Sequence, residues 1–129
     1  MGGSDKAIPP VAVGRAPVAA GVGMAVGLLQ SATNASERLS DRLELVAEAK
    51  QLLAELGGGD ETSTVLAGQL LAARDDLSAL LLSAYMLDEV GVAEAVTGDL
   101  LNRGIDRCQQ RLQGMADTWG LHHMAESVL

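Results

Sequence analysis

This sequence predicts an all-α fold: an antiparallel long-helix hairpin extended to a three-helix bundle, with coiled-coil-like seams and an N-terminal helical extension. Three observations carry the prediction. Apolar residues make up 48% of the 129 residues, yet there is no Phe, one Tyr (Tyr85) and one Trp (Trp119). The core is therefore aliphatic, a composition that suits helix seams better than sheets, which lean on aromatic and β-branched side chains. Apolar residues also recur alternately three and four positions apart along three long stretches, with no strand alternation and no internal repeat. Finally, the breaks between these stretches are plain, at Gly57-Gly58-Gly59 and at Gly91.

At this length the chain makes one domain with one core. Residues 1–13 read as an extended arm, with a flexible Gly2-Gly3-Ser4 and a Pro9-Pro10 pair that forces extended geometry on what precedes it. Residues 14–129 form the helical domain, and Pro17 is placed as the first residue of a helix, where its missing N–H costs nothing.

The first helix is expected over about 17–56. Its seam is Leu29, Ala32, Ser36, Leu39, Leu43, Val46, Lys50 and Leu53, with Ser36 and Lys50 as polar interruptions of the kind that set register. Leu45, Ala49, Leu52 and Leu56 widen the apolar face, enough to meet more than one neighbour. The second helix, about 62–90, is capped by Asp60, Thr62 or Ser63. It has an unbroken seam of Leu66, Leu70, Ala73, Leu77, Leu80, Ala84 and Leu87. Because Leu71, Leu81, Leu82 and Met86 lie off that seam, it reads as the most buried of the three. The third, about 92–119, has the seam Leu101, Ile105, Cys108, Leu112, Met115 and Trp119. Arg103, Arg107 and Arg111 make a basic ridge beside it, within pairing reach of Asp99 and Asp106. Gly120 interrupts this helix before a short last turn.

Lengths turn the pattern into a functional expectation. At 1.5 Å per residue the first helix spans roughly 60 Å and the others roughly 40–43 Å, which leaves about ten to fourteen residues of the first unmatched. That overhang is apolar and rich in small residues, with Ala16 and Ala20, then Gly23 and Gly27, at four-residue spacing. Another chain, or a membrane surface, is expected to cover it. The expected assembly interface is Pro17, Ala20, Gly23, Met24, Gly27 and Leu28.

The charge excludes some partners. Lys6 and Arg15 stand against Asp5 in residues 1–36, whereas residues 37–129 hold seven basic and sixteen acidic side chains, for a net charge of −8 overall. An acidic body argues against nucleic acid, whose phosphates need clustered Lys and Arg. It suits solubility or a basic protein partner. The acidic pairs Asp75-Asp76 and Asp88-Glu89 read as solvated faces; the alternative for Asp88-Glu89, close to a helix C-terminus where negative charge is unfavourable, is a contact with a basic partner. The single Cys108 excludes an intramolecular disulfide framework and a cysteine zinc cage, and a cytoplasmic, reducing setting is expected. No stretch is long and apolar enough to predict a transmembrane helix.

No enzymatic activity, metal or cofactor is expected. His122 and His123 are adjacent, and only His123 with Glu126 lies one helical turn apart, in the reverse of the order that di-iron bundles use. Cys108 sits mid-seam without a histidine within several turns, as a small buried hydrophobe would. The glycines near the N-terminus follow no strand and lack the Gly-Lys-Ser/Thr ending of a phosphate loop.

Residues 14–32 carry the motif GRAP followed by GMAVGLLQSATNA. With Gly14, Ala16, Pro17, Met24, Ala25, Gly27, Leu29 and Gln30 at the matching positions, this segment resembles the N-terminal signature of the Reb proteins, which polymerise into R-bodies. The resemblance implies a structural, self-assembling helical subunit without an active site. The expected function is thus a non-enzymatic protein that associates with itself through its N-terminal helix. The alternative is an acidic adaptor or secretion-type chaperone that holds another protein on an exposed helix face.

Overall fold

The computed structural model describes residues 10–59 and 64–119, the side chains of residues 10–17 and Trp119 excepted. Within them stand four helices: α1 (Pro10–Ala32), α2 (Leu39–Gly57), α3 (Thr64–Glu89) and α4 (Glu94–Trp119). Each packs on its neighbours in the order α1–α2–α3–α4, and α4 closes back on α1. The result is an antiparallel four-helix ring around one aliphatic core, with α1 and α3 on one diagonal and α2 and α4 on the other.

The expected single helix over 17–56 is two helices, and this changes the architecture. The chain leaves the helix at Thr33 and re-enters at Leu39. Thr33 Oγ1 donates to the Gln30 carbonyl at 2.6 Å, and the Asn34 side-chain oxygen accepts from the Ser36 amide at 3.1 Å and the Ser36 hydroxyl at 2.7 Å. These short-range bonds offer the backbone an alternative to the helix ladder. Ser36, expected in the seam, belongs to this turn. There is accordingly no overhang: α1 folds back along α2 and buries Val18, Val22, Ala25, Leu29 and Ala32 in the common core. Helix α1 also begins earlier than expected, so residues 10–13 are helical rather than part of an arm, and Pro17 lies inside the helix rather than at its start. Residues 1–9, the proposed caps Asp60, Thr62 and Ser63, and the last turn with His122, His123 and Glu126 lie outside the described residues.

The seams of α3 and α4 hold. Leu66, Leu70, Ala73, Leu77, Leu80 and Ala84 are buried, as are Leu101, Ile105, Cys108, Leu112 and Met115. Each leucine so buried stabilises the fold by about 1.5–3 kcal/mol. In α2, Leu43, Val46, Ala49 and Leu53 face the core, and Lys50 is half-buried beside them. Three helical glycines admit a neighbouring leucine at close range, Gly57 among them with Leu71 Cδ2 2.8 Å from where its Cβ would stand. A Cβ at Gly21 would lie 2.6 Å from Leu56 Cδ1, and one at Gly104 would lie 2.5 Å from Leu80 Cδ1. These, rather than Gly23 and Gly27, are the small residues that let helices within the bundle approach.

The corner between α3 and α4 turns on Gly91, whose φ of +81° is left-handed backbone. Its amide donates to the Asp88 carbonyl at 3.1 Å and the Val92 amide to the Leu87 carbonyl at 3.0 Å, which closes the helix end with two bonds. Gly91→Ala is expected to lower stability by about 1–2 kcal/mol, the cost of left-handed backbone for a residue with a Cβ. Urea denaturation would show it as a lower midpoint at unchanged slope.

One polar atom in the core goes unanswered. Thr97, in the first turns of α4, is fully buried, and its Oγ1 has no hydrogen-bond partner among the described residues. Thr97→Val keeps the shape and removes the orphan hydroxyl. A gain of about 1 kcal/mol is expected in the same denaturation assay, and a loss would show that the hydroxyl is satisfied in solution.

Candidate assembly surface

The surface of the bundle divides by helix. On α2 the exposed positions include Ser40, Asp41, Glu44, Glu48, Gln51 and Glu55, and on α4 Asp99, Arg103, Asp106, Arg107, Gln110 and Asp117. Both are solvated, charged faces. On the other diagonal the outward faces are apolar. Apolar side chains exposed on one helix face at this density mark a contact surface more often than a solvated one.

On α1, the helical period places Ala20, Gly23, Met24, Gly27 and Ser31 on the side away from the core. Ala20 is half-buried, Gly23 and Gly27 are exposed, and Met24 is 63% exposed. Nothing lies within 4 Å of a Cβ built at Gly23 or Gly27. From Ala16 to Ala32 the helix carries no charged residue. Of the residues expected at an interface, Ala20, Gly23, Met24 and Gly27 thus share one open face. Leu28 is half-buried at its flank and packs against the core, and the Pro17 side chain lies outside the described residues. Among the described residues, nothing outside their own helix lies within 4 Å of a Cβ at Gly23 or Gly27. On the α4 side, Gln109 ties α1 down, its Nε2 donating to the Val26 carbonyl at 3.4 Å and to Gln30 Oε1 at 3.2 Å.

Helix α3 presents the second open face. Gly68, Ala72, Asp75, Ala79, Leu82 and Met86 follow one another four and three residues apart, on the side opposite the buried seam. Leu82 and Met86 are 62% and 57% exposed, Tyr85 stands half out beside them, and Val90 projects past the helix end. The expectation that this helix is the most buried is corrected here. Its second apolar stripe has no neighbour in the ring, because the core already closes around the first. Asp75, whose carboxylate is held by Arg74 at 2.8 Å, interrupts the stripe, and the exposed Glu89 ends it three residues after Met86.

The arginine ridge of α4 borders the α3 face. Arg111 Nε reaches across to Asp76 of α3 at 2.9 Å, and Arg103 pairs with Asp99 on its own helix at 2.9 Å. Asp106 accepts from Gln110 instead of an arginine. Arg107 makes no ion pair among the described residues. Together with Ala79, Ser83 and Leu100, these arginines line a shallow groove between α3 and α4. At its floor lies Cys108, whose thiol is pushed up to about 11 by burial, with Asp76 adding to the rise and Arg111 opposing it. A thiol held protonated is a poor nucleophile and a poor metal ligand. Among the described residues no three His, Cys, Asp or Glu side chains come together as a metal site. No described helix is long and apolar enough to cross a membrane.

Compared with known proteins, the chain matches no family model, no curated protein and no solved structure.

Proposed function

We propose that this chain is a non-enzymatic structural subunit of the cytoplasm that associates with copies of itself, and that the outward face of α1 takes part in the contact. One observation carries the reading: α3 exposes Val65, Leu82, Tyr85 and Met86, and α1 carries no charge from Ala16 to Ala32 and exposes Met24, while the outward faces of α2 and α4 are charged apart from Val96. The α1 face adds a bare-backbone approach at Gly23 and Gly27, where another helix can come close. The resemblance of residues 14–32 to the Reb proteins supports the same reading, and the acidic body keeps assembly from becoming indiscriminate.

Light scattering on the full chain across a concentration series tests it. The wild type is expected to exceed the mass of one chain. The double substitution Gly23→Gln with Gly27→Gln is expected to return it to that mass. The same variant should be more stable to denaturant, by about 1 kcal/mol per glycine replaced, since both sites are open and helical. A wild type that keeps the mass of one chain at every concentration would overturn the reading.

A second reading, an acidic adaptor for another protein, rests on the other groove of the bundle. Arg38, Leu39, Leu43, Glu44, Tyr85, Asp88 and Glu94 line it, so a half-exposed aromatic ring stands among three carboxylates and one cation. Such a site fits a basic helix. The two readings separate on concentration: an assembler grows alone, whereas an adaptor changes mass only when its partner is added.

A further inference from the structure

We propose that the outward face of α3 in one copy is the seat for the outward face of α1 in the next, so that copies join head to tail. This rests on the self-association reading above and names the second half of the contact.

Shape is the first argument. Leu82 and Met86 project from α3 one turn apart, and Gly23 and Gly27 leave α1 open one turn apart. Both steps are four residues, a rise of about 6 Å along a helix axis. With the two helices antiparallel, Met86 meets the gap at Gly23 while Leu82 meets the gap at Gly27. Ridges into gaps at matched spacing are what close helix packing requires.

Charge decides between the ways of using these faces. On α2, the row Asp41, Leu45, Glu48, Leu52 and Glu55 runs along the edge beside α1, and the next leucine, Leu56, packs on Gly21 of α1. The α3 face is bordered on its α4 side by Arg103, Arg107 and Arg111, of which Arg103 and Arg111 already pair with Asp99 and Asp76, and on its other side by Glu44, Asp88 and Glu94. An antiparallel twofold contact of α1 with α1 lays the acidic α2 edges side by side. An antiparallel twofold contact of α3 with α3 does the same to the arginine edges of α4. Docking α1 antiparallel on α3 sets the acidic edge of one copy along the basic edge of the other, with Glu48 between Arg103 and Arg107. Complementary edges of this kind select orientation and suppress wrong pairings.

Topology gives the consequence. The two faces lie on opposite sides of the ring, so a pair that uses α1 of one copy and α3 of the other leaves one face of each kind free. A contact of this heterologous type adds further copies until it closes into a ring or runs on as a filament.

A complementation experiment tests the proposal. One variant, Gly23→Gln with Gly27→Gln, blocks only the α1 face. The other, Leu82→Gln with Met86→Gln, blocks only the α3 face. All four positions are exposed, and circular dichroism verifies that both variants fold. Each variant alone is expected to have the mass of one chain, and an equimolar mixture is expected to give a dimer and nothing larger. Adding Arg107→Glu to the first variant should weaken that dimer about tenfold, and Glu48→Arg in the second should restore it. If each variant alone still pairs, the contact joins like faces; the proposal then fails while self-association stands. If the mixture keeps the mass of one chain although the wild type assembles, the proposal likewise fails. A wild type that never exceeds one chain overturns both.

Discussion

Arg42→Ala is expected to destabilise the protein by about 3 kcal/mol and to lower its melting temperature by roughly 10 °C. Arg42 is a buried charged side chain, near the start of α2. Its Nε donates to the carbonyl of Ala32 at 2.7 Å, and its Nη2 donates to the side-chain oxygen of Asn102. Ala32 is the last residue of α1, so the guanidinium closes a helix C-terminus, where a positive charge also meets the negative end of the helix dipole. One side chain thereby joins α1, α2 and α4 at the corner where the chain reverses. No carboxylate among the described residues forms a salt bridge with it. Removing it leaves a buried carbonyl and a half-buried amide unsatisfied, as well as a cavity. Arg42→Lys should recover only part of the loss, because a single ammonium does not reproduce the planar fork that reaches both acceptors. Thermal melts followed by circular dichroism give the comparison. An alanine variant that melts within a degree of wild type would show that the corner holds without this side chain.

The second large effect is a loss of stability in alkali that depends on one thiol. Cys108 is 1% exposed, and burial, aided by Asp76, pushes its thiol up to about 11. In the unfolded chain the same group titrates near 8.5. Its contribution is therefore fully present below about pH 8.5 and is lost as the pH rises towards 11, because over that range the unfolded chain gives up the proton first. A rise from near 8.5 to about 11 corresponds to roughly 3 kcal/mol. Wild type should thus lose stability between pH 8.5 and 10.5 more steeply than Cys108→Ala, which lacks the thiol. Parallel curves for the two proteins would refute the assignment. The same shift makes the folded thiol slow towards alkylating reagents at pH 8, so that labelling reports unfolding.

Much of this architecture was legible from spacing alone. The seams of α3 and α4 run as their apolar periodicity predicts, and Gly91 turns the corner between them in a backbone conformation that favours glycine. The break within the expected first helix had a signal, Thr33-Asn34-Ala35-Ser36, where the Thr33 and Asn34 side chains take backbone bonds and the Ser36 hydroxyl donates to Asn34. The regular seam across it outweighed that signal, because residues on either side of a turn keep their apolar spacing when both flanking helices face one core.

The candidate surface was half legible. The uncharged stretch of α1 is visible in the sequence, and four of its expected interface residues do share one face. An overhang does not account for that face, because α1 packs along α2 and α4 as a full member of the ring. Periodicity says which residues share a side of a helix, but not whether that side meets a neighbour. Helix α3 has two apolar stripes, and the closing of the ring through α4 and α1 decided that the one with Leu82 and Met86 stays outside.

By itself, then, the sequence determined an aliphatic helical bundle, the buried rows of its last two helices, and an uncharged, small-residue α1. Local spacing and composition suffice for each of these. Only the tertiary structure decided that α1 is a full member of the ring, that Arg42 locks its end through Asn102, sixty residues away in the chain, and that the apolar faces of α1 and α3 look outward on opposite sides. Those outcomes depend on which helices become neighbours, and contacts between segments distant in sequence set that.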